Sequence, residues 1–217
     1  AEAIFHKDLG IEVKFSNGRI EFFDYAISSI PLSELPVLLG CKESKIIGES
    51  AAIKHRDFLT VALVVEETGI FPDNWIYIHE PNVKVGRIQN FKSWSPYMVP
   101  DPEMACYGLE YFCFEGDGLW TSSNEDLIKL GTKEINQIGL TKPEAVVDGY
   151  VVRQPKAYPV YDQEYKGHLE VIRQELKNYN GLYLVGRNGM HKYNNQDHSM
   201  MTAMLAAKNI IADKPLF

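Results

Sequence analysis

The sequence predicts an α/β (α+β) protein, a mixed β-sheet carrying flanking helices. Three observations predict it. Short runs rich in β-branched and aromatic residues, bounded by Gly, Pro and Asp, recur through the first half of the chain. Two later stretches place apolar residues at helical spacing. Near the C-terminal end, a short apolar strand, a polar turn and a helix follow one another from Leu182 to Ala212, the turn and helix falling in VGRNGMHKYNNQDHSMMTAMLAAKNII, residues 185–211.

Taken in order, IEVKF and RIEFF flank Ser16-Asn17-Gly18 and read as a β-hairpin, because Asn-Gly readily adopts the positive φ of a tight turn. Tyr25 to Ile30 reads as an apolar strand, followed by Pro31 and a short helical stretch. FLTVALVVEE from Phe58, NWIYIHE from Asn74 and ACYGLEYFCFEG read as strands of an antiparallel or mixed sheet. In SNEDLIKLGTKEINQIG, Leu127, Leu130, Ile135 and Ile138 lie near helical spacing, with a Ser or Asn cap before acidic residues and Gly139 beyond the end. AVVDGYVVRQPKAYPVY reads as a strand broken between Arg153 and Pro159. GHLEVIRQELKNYNG reads as a second amphipathic helix closed by Asn180-Gly181, GLYLV as a buried strand, and MTAMLAAKNIIA as the last helix.

With 217 residues, 45% of them hydrophobic and 12% aromatic, the chain is long enough to bury a real core. Its net charge of −7, with basic residues scattered, excludes a broad nucleic-acid surface but leaves room for a local anion pocket. Cys41, Cys106 and Cys113 are an odd number without disulfide-framework spacing, which points to a reducing compartment. Cys106 and Cys113 read as buried thiols, and no metal site is expected. No run of eighteen or more apolar residues and no signal-peptide pattern occurs, so a soluble cytoplasmic protein with no membrane span is expected. The chain opens on AEAIFHKDLG without an initiator Met, as the interior of a longer protein would.

The polar run Asn194 to Ser199 stands at the carboxyl end of one strand and the amino end of a helix. In open α/β sheets ligands favour that position, because the unsatisfied backbone N–H groups there point outward and carry partial positive charge. A loop and an N-cap formed by Asn194, Asn195 or Asp197 are the simpler use of the same residues. The two uses are compatible.

The pattern of an apolar strand, Gly186-Arg187, a variable turn and Asn195-Gln196-Asp197-His198-Ser199 before a helix resembles the C-terminal flavin-contacting segment of eukaryotic-type UDP-galactopyranose mutases. More broadly it resembles the FAD-dependent amine oxidase and protoporphyrinogen oxidase superfamily. DYAISSIPLSEL, FKSWSPYMVPD and RQPKAYPVY agree with it in order along the chain. Two departures are plain: the turn between Arg187 and Asn195 is shorter than in the mutases, and the GxGxxG fingerprint that holds the FAD pyrophosphate is absent. The resemblance therefore implies a C-terminal portion of a longer flavoprotein, with an N-terminal FAD-binding region as its missing partner.

On that resemblance, residues 1–31 are a remnant of a Rossmann-like FAD domain, 32–180 a substrate-binding domain, and 181–217 a C-terminal strand-turn-helix that touches FAD. Gly186, Arg187, Asn195, Gln196 and Ser199 are the implied flavin contacts; neutral amides suit a ring edge that offers both donors and acceptors. Arg153, Arg187, Tyr158 and Tyr193 are the implied substrate contacts, with the two arginines converging on an anion such as a diphosphate. A surface ion pair for Arg187 and a strand-edge charge for Arg153 are the alternatives. Trp94 and Tyr97 line a substrate cavity or form a packed loop. His198 reads as a hydrogen-bonding neighbour of the helix start, and Glu110 with Glu115 as a poor catalytic carboxylate pair, since five residues apart on a strand puts them on opposite faces. No catalytic residue is assigned.

The expected function is the substrate-binding and flavin-contacting part of an FAD-dependent oxidoreductase acting on a small molecule. The alternatives are a mutase-like flavin-dependent isomerase of a nucleotide-sugar and a non-catalytic sugar- or protein-binding domain. By itself the chain is expected to bind FAD weakly or not at all and to be inactive.

Overall fold

The computed structural model describes residues 1–7, 10–66 and 71–212. Glu67, the last residue of the expected strand from Phe58, and residues 213–217 of the expected C-terminal segment lie outside them. The chain mixes helices and sheets and divides into two compact units, residues 1–55 with 156–217 and residues 56–155.

The first unit opens with β1 (Ala3–Lys7), β2 (Gly10–Lys14) and β3 (Ile20–Phe23), a three-stranded antiparallel sheet in that order. The β2–β3 turn falls at the expected Asn-Gly, with Gly18 at φ 82° and its N–H donating to the Phe15 carbonyl at 2.9 Å. β4 (Ala26–Ser28) and two helices, α1 (Leu35–Leu38) and α2 (Ser44–Ala52), follow.

The second unit is built on β5 (His55–Val65) from residue 56, β6 (Trp75–Tyr77), β7 (Arg87–Asn90), β8 (Ala105–Cys113) and β9 (Val146–Pro159) as far as residue 155, with α3 (Phe91–Trp94) and α4 (Asn124–Gln137) between strands; the end of β9, residues 156–159, belongs to the first unit. Their order in the sheet is β6-β7-β8-β5-β9. Along β5 every second residue is buried, so Leu59, Val61, Leu63 and Val65 line one face, where they join Leu109 and Tyr111 of β8 and Leu127 and Ile135 of α4 in one core. Ser123 caps α4, its Oγ accepting from the Asp126 N–H at 3.1 Å. Glu134, buried on α4, accepts from the backbone N–H groups of Lys84 and Val85 at 2.8 and 3.0 Å and so fastens the chain ahead of β7.

β9 is continuous, not broken between Arg153 and Pro159 as expected. Proline removes a ladder donor, but β9 is an edge strand, where proline is tolerated because one side of the strand has no partner. The irregularity is confined to Lys156, in the left-handed region at φ 52°. Its side chain pairs with Glu34 and its carbonyl accepts from Asn188 Nδ2 at 3.0 Å, contacts that hold the unfavourable backbone in place.

The chain then returns to the first unit through α5 (Tyr165–Leu176), β10 (Leu182–Leu184), α6 (Gly186–Met190) and α7 (Gln196–Ala212). β10 pairs parallel with β4, Leu182 opposite Ala26 and Leu184 opposite Ser28. The core here joins Ile4 and Ile11 to Leu32, Leu35, Leu39 and Ile53, and to Leu169, Ile172 and Leu176 of α5. The compact units are thus delimited differently from the division at 31/32 and 180/181: residues 32–55 and 156–180 bury their apolar side chains with the two terminal segments. Phe22, Phe23, Ile27, Met200, Met201 and Met204 of this unit remain exposed. Among the described residues no helix is long and apolar enough to cross a membrane.

Cys41, Cys106 and Cys113 are free. Cys113 is buried, and burial pushes its thiol up to about 11. Cys106 is half-buried, which departs from the expected full burial; burial raises its thiol as well.

Candidate functional site

The segment from Val185 to Met200 folds as a short helix, a turn and the start of a long helix; the short helix stands where the sequence implied a Gly-Arg turn. Gly186 begins it at φ 72°, a conformation in which a side chain would be strained, and its N–H donates to Thr202 Oγ1 of α7 at 3.0 Å. Gly189 is required for a different reason: a Cβ there would stand 2.6 Å from the Ser28 carbonyl oxygen, so α6 can lie against the end of β4 only without one. His191, at φ 46°, ends α6 in the left-handed cap position and turns the chain toward α7.

Arg187 organises the turn. Its Nε and Nη2 donate to the Asn194 carbonyl at 3.0 and 2.7 Å, and its Nη1 donates to the Ala157 carbonyl at 3.0 Å. The guanidinium lies 4.8 Å from the ring centre of Tyr158 and 5.0 Å from that of Tyr193. These rings stack with centres 5.9 Å apart and planes 26° apart. The Tyr193 N–H donates to the Tyr161 hydroxyl at 2.5 Å. Among the described residues Arg187 makes no ion pair; it joins the end of β9 to the turn before α7, with an aromatic pair beside its charge.

Beside this bridge, over the start of α7, lies a cleft of about 330 Å³ lined by Arg187, Asn194, Asn195, Gln196, Ser199 and Met200. The structure thus gathers Gly186, Arg187, Asn195, Gln196 and Ser199 around one helix start, with Tyr158 and Tyr193 against Arg187. Asn194 is an organising residue the sequence reading treated only as a cap: its carbonyl takes Arg187, and its Oδ1 accepts from Ser199 Oγ at 2.8 Å. Among the described residues the side-chain amides of Asn195 and Gln196 have no hydrogen-bond partner, and both are exposed at the cleft. His198 is exposed and pairs with Asp197, whose carboxyl is held below the usual range by the His198 backbone N–H and ring.

Arg153 belongs to the other unit. Its Nε, Nη1 and Nη2 donate to the Trp120 carbonyl at 2.9 Å, Asn124 Oδ1 at 2.7 Å and the Ser122 carbonyl at 2.6 Å. Each nitrogen of the guanidinium is engaged in tying the segment before α4 to β9, which is neither a strand-edge surface charge nor an open anion clamp. Trp94 and Tyr97 are exposed, Tyr97 to 92%. Glu110, only 1% exposed, meets Arg87, with Nε and Nη2 to Oε2 at 2.7 and 2.5 Å, and also takes the Gln89 amide. Arg87 lies 5.6 Å from the Trp75 ring centre. This buried charge network was not anticipated; an acidic residue set in the apolar run GLEYF is the one sequence signal that pointed to it.

No family model matches this sequence, and no curated protein matches it. Solved structures do share its fold. A reduced UDP-galactopyranose mutase is 23% identical with a TM-score of 0.82, over 98% of this chain and 46% of that one. A CLA-producing fatty acid isomerase from P. acnes is 12% identical with a TM-score of 0.63, over 95% of this chain and 46% of that one. An oxidoreductase from Methanosarcina mazei is 13% identical with a TM-score of 0.59, over 94% and 48%. The chain spans less than half the length of each. The α/β fold class expected from the sequence is the fold observed, and a UDP-galactopyranose mutase, the resemblance its motifs carry, is among the structures that share it.

Proposed function

We propose that the chain is the substrate-binding and flavin-contacting C-terminal part of an FAD-dependent oxidoreductase of the amine oxidase type. The observation that carries the reading is the cleft over α7, where two unpartnered neutral amides stand at a helix N-terminus beside a glycine-built turn. The residues present fit one edge of an isoalloxazine. Asn195 and Gln196 offer donors and acceptors without fixed charge, Met200 supplies an apolar wall, and the α7 N-terminus favours developing negative charge.

Gly186, Arg187, Asn195, Gln196 and Ser199 would hold the flavin, which supplies hydride-transfer chemistry when bound. Arg187 fixes the turn that presents the amides, and places a positive charge beside the stacked pair Tyr158 and Tyr193. Those two rings offer a wall for a small-molecule substrate. Arg153 acts as a positioning residue for residues 120–124.

A second reading, a flavin-dependent isomerase of a nucleotide-sugar, is favoured by the fold match to a UDP-galactopyranose mutase over 98% of the chain. Affinity for UDP in the flavin-loaded protein separates the two readings.

In the flavin-loaded protein, Asn195→Leu with Gln196→Leu should weaken FAD binding roughly thirtyfold, about 1 kcal/mol for each lost hydrogen bond. Flavin-fluorescence titration reads the affinity. Both side chains are exposed, so circular dichroism should be unchanged. Undiminished affinity would place the isoalloxazine edge elsewhere.

A further inference from the structure

A second cavity in the first unit, of about 520 Å³, shares no lining residue with the cleft over α7. Tyr161, Tyr165, Lys166, Arg173, His191 and Lys192 line it, with Leu169 and Glu170. Residues 166, 169, 170 and 173 recur at the three- and four-residue steps that stack on one face of α5. The left-handed cap at His191 brings Lys192 to the same place from the other side.

In a chain of net charge −7, this lining sets Lys166, Arg173 and Lys192 against the carboxylate of Glu170. Arg173 is oriented by its Nη2 donating to the Met190 carbonyl at 3.1 Å, while Glu170 is partly taken up by Gln174 Nε2 at 2.5 Å. His191 is 1% exposed, and among the described residues neither ring nitrogen forms a well-aligned hydrogen bond, the ring resting against the Val160 backbone and edge-on to His55 at 4.9 Å. A buried polar ring left so is unfavourable, and a ligand acceptor in the cavity would satisfy it. Burial, reinforced by the Arg173 charge, holds the imidazole below its usual value, so the positive charge of the cavity at neutral pH belongs to the lysines and the arginine. Tyr161 and Tyr165 lie with ring centres 4.7 Å apart, and Tyr161 is half exposed.

We propose that this cavity binds a small phosphorylated molecule, Lys166, Arg173, Lys192 and His191 holding the phosphate and the Tyr161–Tyr165 pair packing on an attached ring. The volume lies within the range of small-molecule sites, and a compact dianion answers three cations that share the cavity with one carboxylate, Glu170, and form no ion pair among the described residues. The site is independent of the flavin reading, since the cleft over α7 shares none of its lining residues.

The test uses AMP, with inorganic phosphate as the ringless probe, titrated into the isotopically labelled protein. AMP should shift amide resonances of residues 161–173 and 190–193 and bind at least about fivefold tighter than inorganic phosphate, as expected if ring packing adds to the charge-assisted contacts. Replacing the two exposed lysines, Lys166→Ala with Lys192→Ala, should weaken AMP about tenfold or more while leaving the spectrum of the free protein dispersed. His191→Phe, which keeps the ring and removes its nitrogens, should weaken AMP as well. Shifts located elsewhere, equal affinity for AMP and phosphate, or undiminished binding by the double-lysine variant would each overturn the proposal.

Discussion

Replacing Arg87 by Ala is expected to destabilise the protein by about 3–5 kcal/mol, the cost of stranding a buried charge. Glu110 is 1% exposed and sits mid-strand in β8, directly opposite Arg87 of β7. Removing the guanidinium leaves its carboxylate with the neutral Gln89 amide inside a sheet whose neighbouring residues are Leu109 and Tyr111. The pair itself adds little over well-packed apolar residues, because desolvation offsets its Coulombic attraction. Arg87→Met with Glu110→Leu should therefore recover most of the loss. Urea-denaturation midpoints of the single and double variants measure both effects. A single variant within 1 kcal/mol of wild type would mean that Glu110 is solvated after all.

Arg187→Ala should cost about 3 kcal/mol, and Arg187→Lys about 2, since hydrogen bonds from a charged donor contribute about 1.5–3 kcal/mol each and a lysine cannot reproduce the planar fork. The guanidinium donates to the carbonyls of Asn194 and Ala157 and sits against two tyrosines. Losing it should free the turn before α7 and unstack Tyr158 from Tyr193, and near-ultraviolet circular dichroism should report that unstacking. A lysine variant as stable as wild type, with the tyrosine signal intact, would show that the turn holds without the fork.

The elements that could be read from sequence were those whose burial follows one period. β5 is buried on alternating positions, and α4 carries its buried Leu127, Gly131 and Ile135 on one face; β8, buried without a break from Tyr107 to Tyr111, was legible from its apolar and aromatic composition instead. β7 escaped because RIQN looks polar; its buried Asn90 is satisfied by donating Nδ2 to the Phe71 carbonyl at 2.9 Å, a long-range partner that no local pattern reveals. The break expected in β9 came from its prolines, and only the strand order, which puts β9 at an edge, explains why they are tolerated.

At the site, the helix-start amides and the Gly-Arg turn were legible as types of residue in a favourable place. The hold of Arg187 on Asn194 and Ala157 was not, because the acceptors are backbone carbonyls, which leave no trace in side-chain composition. The same holds for Arg153, expected at an anion and found on the carbonyls of Trp120 and Ser122. The boundaries of the compact units differ from the expected ones because Leu32 and Leu169, far apart in sequence, share one core with Ile4 and Ile11.

The flavin content of the purified protein tests the central claim most directly. The product of the whole reading frame that contains these 217 residues should carry FAD near one equivalent per chain, seen as flavin absorbance after gel filtration. The 217-residue chain by itself should be colourless and take up added FAD weakly, since the cleft over α7 covers one edge of the ring and no GxGxxG turn is present for the pyrophosphate. A full-length product that is purified without flavin and takes up none on reconstitution would contradict the account.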